Sequence, residues 1–114
     1  MMAIDKGMLS GSLGLMILHL LDESDMYGYQ MVKELAARSE QAFEMKEGTL
    51  YPLLHTMERE GWVEAYSLQG DNGRLRKYYR LTDGGRGVLA SKRAEWQYFT
   101  RSVNKVIGGE AFAN

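Results

Sequence analysis

The sequence predicts an α+β domain in which three helices precede a two-stranded β-hairpin and one long helix follows it. Apolar residues recur every three or four positions in the first half of the chain, the period of helices with one buried face. Two aromatic-rich segments then flank an Asn-Gly turn, and the helical period returns afterwards. The 114 residues suffice for one modest core, and 45% hydrophobic and 25% charged residues are ordinary for a globular domain. This composition argues against a disordered chain and a coiled coil.

The first two helices are short and amphipathic. Apolar residues at helical spacing predict one helix over Met8–Leu21 and a second over residues 27–39. Between them lies an acidic break, in which Ser24 or Asp25 is the expected N-cap of the second helix, because a short polar side chain can accept hydrogen bonds from the free amides of a first turn.

The third helix carries a row of apolar residues at helical spacing: Leu50, Leu53, Leu54 and Met57. It should end at Gly61, since glycine tolerates the left-handed conformation just past a helix end. Pro52 lacks an amide proton and fits best in a first turn, where no intrahelical donor is needed. Spacing alone therefore makes Thr49 the N-cap.

The hairpin and the last helix follow directly. Trp62–Leu68 and Leu75–Leu81 are the expected strands, joined by a loop that contains Asn-Gly. Because side chains alternate between the faces of a strand, one of Tyr78 and Tyr79 should pack inward.

The last helix should be about 25 residues and roughly 37 Å long, with Thr82 as its N-cap. Gly84, Gly85 and Gly87 should weaken its first turns, since each costs about 1 kcal/mol relative to alanine. The tail over residues 108–114 has little to pack against and should be loose.

The sequence contains little evidence for a catalytic or metal-binding site. The chain has no cysteine, which excludes disulfides, thiolate zinc sites and a cysteine nucleophile. His19 and His55 lie on separate helices, and His19, within an apolar run, should be a partly buried core residue. No serine or threonine has an evident base and no phosphate loop follows a strand, so we expect no enzyme, no cofactor and no metal.

The apolar stretch Leu13–Leu21 is far shorter than the roughly 18 residues that a membrane helix needs, and it reads poorly as a signal peptide. We therefore expect a cytoplasmic protein with no membrane partner whose mature chain starts at Met1.

The charge pattern points to a local cationic surface. Fourteen basic and fifteen acidic residues give a net charge of −1, so the chain as a whole lacks the basic character of many nucleic-acid-binding proteins. Four cations nevertheless lie within seven positions, with no acid among them: Arg74, Arg76, Lys77 and Arg80. Cations on an edge strand can simply prevent aggregation, but this density favours contact with phosphates. Two short helices followed by a basic hairpin are typical of a winged helix-turn-helix.

Three ordered motifs make the chain resemble the PadR-like family of transcriptional regulators. They are Tyr27-Gly-Tyr29; Gly48-Thr-Leu-Tyr-Pro-Leu-Leu54 with Glu58-Arg-Glu-Gly61; and Gly73-Arg-Leu-Arg-Lys-Tyr-Tyr-Arg-Leu-Thr82. The resemblance covers about residues 9–107. It implies a winged-helix repressor that dimerises through its C-terminal helix, in the short form with a single such helix.

The resemblance also implies that the third helix reads DNA and starts a few residues before Thr49. Relatives have a Ser-Pro pair where this chain has Lys46-Glu47, which removes a good N-cap and brings an acid near the DNA. In this interpretation Pro52 lies deeper in the helix than spacing alone suggests.

The DNA-contacting residues are predicted from exposure and chemistry. Thr49, Tyr51 and His55 lie opposite the apolar row of the third helix, where hydroxyls suit phosphates or base edges. Tyr27 and Gln30 lie near the amino end of the second helix, whose free amides can bind a phosphate. The predicted set is Tyr27, Gln30, Lys46, Gly48, Thr49, Tyr51, Pro52, His55, Arg74, Arg76 and Lys77.

An apolar stripe on the last helix predicts a homodimer. The stripe is formed by Leu89, Trp96, Phe99, Val103 and Val106. A stripe of this length is longer than the rest of this small domain can bury, so a second copy of the chain is the simplest partner to cover it. Trp96 with Phe99 is most simply dimer core; the sharper alternative is a slot between subunits for a planar aromatic effector.

The sequence therefore predicts a winged-helix DNA-binding domain over residues 1–81 and a dimerisation helix with a loose tail over residues 82–114. The expected function is repression from a pseudo-palindromic operator in double-stranded DNA, bound by the homodimer. Net acidity and Glu47 keep one alternative open: a dimeric winged-helix protein-interaction module that does not bind DNA.

Overall fold

The computed structural model describes residues 3–108, so the tail predicted to be loose lies largely outside the described residues. The elements are α1 (Lys6–Glu23), β1 (Met26–Tyr27), α2 (Gly28–Arg38), α3 (Glu47–Arg59), β2 (Val63–Gln69), β3 (Leu75–Leu81) and α4 (Asp83–Ile107). The α+β winged-helix architecture and the long last helix are confirmed. One strand, β1, was not predicted.

The start of α2 is set by the sheet. Met26 and Tyr27 pair with Tyr79 and Tyr78 of β3, and this pairing holds the chain extended until Gly28. Tyr27 is therefore the N-cap, and the prediction of Ser24 or Asp25 was wrong. A two-residue strand has no pattern of its own that a sequence can reveal, because it depends on the partner strand for its conformation.

Helix α3 begins at Glu47 with Lys46 as N-cap, earlier than spacing alone predicted. The prediction of Thr49 as N-cap was wrong, and the earlier start implied by the resemblance is confirmed. Pro52 consequently lies inside the helix, where it removes one intrahelical donor. The end is as predicted, with Gly61 in the left-handed region at a φ of 80°.

The three strands form one antiparallel sheet in the order β1-β3-β2. Val63, Tyr79 and Leu81 lie on the inner face and are buried against the helices. Tyr78 lies on the outer face, so the predicted alternation of the two tyrosines is confirmed. The hairpin of β2, β3 and their loop (residues 63–81) is the wing.

Helix α4 is anchored at its start, and its apolar side chains are exposed towards its end. The Thr82 hydroxyl accepts a hydrogen bond from the Gly85 amide at 2.9 Å, as expected of the N-cap. Gly85 is buried so tightly that a Cβ there would lie 2.1 Å from the carbonyl oxygen of Trp62. Beyond its expected cost to helix propensity, this glycine is required by the close approach of α4 to Trp62, the residue before β2. Leu89 completes the anchor at 2% exposure.

Candidate nucleic-acid interface

The side of α3 that faces away from the core is an exposed stripe. Its four residues follow each other at spacings of four, three and four: Gly48, Pro52, His55 and Arg59. Thr49 is exposed beside this stripe, as predicted. Arg59 was not among the predicted residues; it lies four residues after His55, and this spacing is the signal that could have identified it.

Tyr51 lies differently from its prediction. Its hydroxyl donates to the Glu47 carboxylate at 2.9 Å, and its ring is half-buried beside α2. A Cβ on Gly28 would approach the Tyr51 hydroxyl to 3.1 Å, so that glycine permits the contact between α2 and α3. The hydrogen bond to Glu47, with some burial, raises the pKa of Tyr51 above its ordinary value. Tyr51 thus lies at the helix junction, on the edge of the exposed stripe.

The amino end of α2 lies next to this junction. The Gln30 side chain accepts a hydrogen bond from the Tyr27 amide at 3.2 Å, which satisfies one of the free donors of the helix start. The guanidinium of Arg76 lies over the Tyr27 ring, 4.7 Å from its centroid. Gln30 is thus engaged within the chain, whereas Tyr27 joins the helix start to the wing.

The wing cations differ in their surroundings. Lys77 pairs with Glu58 of α3 at 3.6 Å, and Arg80 forms a salt bridge with Glu64. In the described part of the chain, no ion pair joins Arg74 to a carboxylate. The acids that partly neutralise the strip come from other elements, so the absence of acids among neighbours in sequence overstated the positive charge.

An outer row of tyrosines joins the three strands. Tyr27 and Tyr78 meet edge to face with ring centroids 5.3 Å apart, and Tyr66 stacks on Tyr78 at 5.7 Å. The Tyr66 hydroxyl donates to Asp25 at 2.6 Å, which raises the pKa of Tyr66. Neither Tyr66 nor Asp25 was predicted to matter here, because their contact depends on β1. The row braces the wing against the start of α2.

The predicted dimer stripe is exposed beyond its first member. Trp96, Phe99, Val103 and Val106 all lie open to solvent, with Trp96 at 43% and Val106 at 85% exposure. Leu89 is buried in the core of its own chain, so its assignment to the dimer surface was wrong. Trp96 and Phe99 line a groove of about 650 Å³ between α4 and the Gly11 face of α1.

The junction of α1, α2 and α4 holds a connected set of charges. Glu23 pairs with Arg38 at 2.6 Å, and His19 lies between Glu23 and Arg93, whose guanidinium is 2.7 Å from the imidazole Nδ1. His19 is therefore partly buried, as predicted, but it belongs to this surface set of charges and not to the apolar core. Among residues 3–108 no group of acidic or histidine side chains could hold a metal ion, and no helix there is long and apolar enough to cross a membrane.

Comparison with known proteins identifies the family. The family model described as the transcriptional regulator PadR-like family matches residues 17–91, which is more than half of the chain. The chain belongs to the PadR-like family of transcriptional regulators. It is 33% identical to the transcriptional regulator Rv3488 of Mycobacterium tuberculosis over 95 residues, which cover 83% of this chain and 82% of that protein.

Solved structures of PadR-like and other regulators share the fold. A transcriptional regulator from Clostridium thermocellum superposes with a TM-score of 0.82 at 30% identity, covering 90% of this chain and 99% of that one. A PadR-like regulator from Bacillus cereus gives a TM-score of 0.78 at 31% identity, with 92% and 100% coverage. These relatives are named as transcriptional regulators, which fits a chain that is not an enzyme.

Three contacts bring the PadR-like motifs together. Tyr51 packs beside Gly28, Arg76 lies over Tyr27, and Lys77 reaches Glu58. The start of α2, the exposed stripe of α3 and the wing are therefore parts of one surface. We call this surface the α2–α3–wing face.

Proposed function

We propose that this PadR-like chain is a cytoplasmic repressor that binds a pseudo-palindromic operator as a homodimer. The observation that carries the proposal is the α2–α3–wing face, which combines an exposed helix stripe, a helix amino end and wing cations. A helix about 10 to 12 Å across with its side chains fits a major groove of roughly 12 Å. Operator DNA lies in the cytoplasm of prokaryotes such as those named above.

In the proposed complex α3 enters the major groove. His55 and Thr49 offer hydrogen-bonding groups for base edges or phosphates, and Arg59 adds a guanidinium at the end of the same helix. Gly48 and Pro52 have no polar side-chain atoms, so they allow close approach of the backbone. Lys46 lies at the amino end, where its ammonium can bind a phosphate.

The start of α2 and the wing contact the backbone. Tyr27 and the free amides of the α2 amino end suit one phosphate. Arg74 and Arg76 suit phosphates beside it, and Lys77 can exchange Glu58 for a phosphate.

Operator binding across a salt series tests the DNA proposal. A duplex enriched by selection on the purified protein is titrated with wild type and with a triple-alanine variant of Arg74, Arg76 and Lys77. We expect the triple variant to bind all duplexes more weakly, with a salt slope reduced by about three units, one for each lost phosphate contact.

The control for this series is a triple-alanine variant of Arg86, Arg101 and Lys105, which removes the same charge from α4, a helix outside the α2–α3–wing face. Equal binding by wild type and the wing variant would instead favour a protein-interaction module. The observation that favours this second function is that Lys77 and Arg80 already pair with acids of the same chain, which reduces the positive charge available for phosphates.

The exposed stripe of α4 supports the homodimer. Isolated apolar side chains on a surface are ordinary, but a continuous row on one helix marks an interface. We expect sedimentation to give a dimer at micromolar concentration. The double variant Phe99→Asp with Val103→Asp should sediment as a monomer, whereas Gln97→Asp, at an exposed position of the same helix outside the groove, serves as the control. A wild-type monomer under these conditions would overturn the assembly.

The groove beside Trp96 supports a planar aromatic effector. Trp96 and Phe99 are 6.3 Å apart between ring centroids and tilted by 34°, so they offer two aromatic faces at one wall. Such a ligand releases the repressor from DNA only if it binds the DNA-free conformation of the dimer more tightly than the DNA-bound conformation. Fluorescence titration with planar aromatic dyes, in wild type and in Trp96→Ala, tests this, with Trp62 as the internal control. Quenching that survives Trp96→Ala unchanged would leave Trp96 as dimer core.

A further inference from the structure

We infer that the groove between the start of α1 and the start of α3 receives a sugar–phosphate strand of the operator, with Lys6 as its phosphate contact. The strand meant here borders the major groove on the side away from the wing. The inference rests on the proposed function, because it concerns the DNA that the α2–α3–wing face would bind. It goes beyond that function by giving α1 a part in binding.

The exposed stripe of α3 has two sides, and each side meets a different part of the chain. Tyr51 packs beside Gly28 of α2, and Glu58 pairs with Lys77 of the wing. Because successive residues of a helix turn by about 100°, Tyr51 and Glu58 lie on one side of the stripe, whereas Thr49 lies on the other. The contacts with α2 and the wing are therefore confined to one side of α3.

A groove of about 930 Å³ lies on the other side. It runs between the first two turns of α1, the loop that precedes α3 and the first turns of α3. Lys6, Ser10 and Lys46 supply polar groups to its lining. Thr49 and Pro52 line it as well, and both are exposed on α3. The groove is therefore continuous with the surface of α3 that is proposed to meet DNA.

The shape of the DNA duplex gives this groove its occupant. A helix seated in a major groove roughly 12 Å wide has one sugar–phosphate strand on each side of it. The start of α2 and the wing serve the strand on their side of α3. The other strand then runs along the side of Thr49, where the groove lies.

The charges of the groove suit a phosphate. Lys6 and Lys46 are exposed, and among residues 3–108 no ion pair joins either of them to a carboxylate. Asp5 precedes Lys6 but is turned away, since its carboxylate accepts the Met8 amide at 3.2 Å and it lines the groove beside Trp96. Glu44 offsets one of the two lysines, so the lining keeps a positive charge.

The loop that forms one wall of the groove has a defined conformation. Glu40 and Gln41 have φ values of 53° and 71°, in the left-handed region that residues with side chains seldom adopt. The Gln41 amide donates to the Ala36 carbonyl at 2.7 Å, and the Phe43 amide donates to the Ser39 hydroxyl at 3.0 Å. This wall therefore needs little ordering when a strand binds.

Operator binding by single-charge variants tests the inference. Wild type, Lys6→Ala, Lys6→Arg and Lys105→Ala are titrated on the selected operator across a salt series; Lys105 on α4 is the control. We expect Lys6→Ala to bind about fivefold more weakly, with a salt slope reduced by about one unit, because one phosphate contact is lost. Lys6→Arg and Lys105→Ala should keep the affinity and the slope of wild type.

A second arm locates the contact on the DNA. Each phosphate of the operator is replaced in turn by an uncharged methylphosphonate. The replacements that weaken wild type but leave Lys6→Ala unaffected should lie across the major groove from those that leave Arg74→Ala unaffected. If wild type binds the operator and Lys6→Ala binds it equally at every salt concentration, or if both variants lose sensitivity to the same phosphates, the inference is wrong while the proposed function stands. If wild type binds no duplex, both fail.

Discussion

Glu47 is an acidic residue at the start of the helix that is proposed to enter the major groove. Its carboxylate lies in the first turn of α3, where the helix dipole favours it, and it accepts the Tyr51 hydroxyl. The sequence predicted that Glu47 brings an acid near the DNA. It did not predict the hydrogen bond to Tyr51, because that bond requires Glu47 and Tyr51 to lie on the same helix, and apolar spacing alone started the helix after Glu47. Tyr51 and Glu47 therefore had to be seen together in the folded chain.

Replacing Glu47 by glutamine should strengthen DNA binding. The substitution removes a negative charge near the proposed phosphate contacts and keeps an acceptor for Tyr51. Two unit charges 4 Å apart in water interact by about 1 kcal/mol, so we expect a gain on the order of fivefold. Operator titration checks this, with Glu95→Gln on α4, outside the α2–α3–wing face, as control. Weaker binding by Glu47→Gln would show that the carboxylate itself takes part in recognition, and unchanged binding would show that it lies too far from the DNA to repel it.

Gly85 and Gly87 lie in the same helix turn of α4 but differ in the space around them. Nothing lies within 4 Å of a Cβ on Gly87, whereas a Cβ on Gly85 would collide with the carbonyl oxygen of Trp62. Gly87→Ala should stabilise the chain by about 1 kcal/mol through helix propensity. Gly85→Ala should destabilise it by about 1–3 kcal/mol, because α4 must move away from β2. Urea unfolding at one fixed protein concentration measures both, and equal effects of the two substitutions would contradict the packing described here.

At the scale of elements, the spacing of apolar residues predicted the helices and wing strands reliably. Features that depend on contacts between elements could not be predicted from it. The period placed all four helices and both wing strands, because each carries an apolar face, which the chain's own core covers except along most of α4. It could not place β1, which exists only through its pairing with β3, nor the start of α3, since the residues from Lys46 to Thr49 carry no apolar pattern. For the same reason the acids that face Lys77 and Arg80 were invisible in the sequence.

The pair of Glu23 and Arg38 joins α1 to α2 and should show in the acid stability of the fold. The hydrogen bond from Arg38 lowers the pKa of Glu23 from its ordinary 4.5, with a contribution from His19. Since the pKa in the folded chain lies below that in the unfolded chain, the stabilisation is complete above about pH 4.5 and is lost as the pH falls through the lowered pKa.

Glu23→Gln should therefore lower the Tm slightly at pH 7, and the difference from wild type should vanish between about pH 5 and about pH 3. The effect is small because both side chains are nearly half exposed to water. Thermal unfolding followed by circular dichroism over this pH range measures it, with the exposed Glu44→Gln as control. A difference that stays constant with pH would mean that the carboxylate stabilises α1 and α2 by packing and not by charge.

At the scale of the whole molecule, the single chain is long and unevenly covered. Its Cα extents are 54 by 34 by 21 Å, and α4 carries apolar side chains from Trp96 to Val106 that its own body leaves open. The sequence could predict this stripe, because its period is that of a helix. It could not predict that Leu89, the first residue of the same stripe, belongs to the core of its own chain, since that depends on how α4 packs against α1.

The central claim is that two copies present two α3 helices to one operator, and half-site spacing tests it most directly. Binding is measured by fluorescence anisotropy on operators whose half-sites are moved apart by half a turn, about 5 base pairs, and by a full turn, about 10 base pairs. We expect two chains per operator and a strong loss of affinity at the half-turn insertion, because one α3 then faces away from its major groove. One chain per operator, or equal affinity at every spacing, would contradict the account.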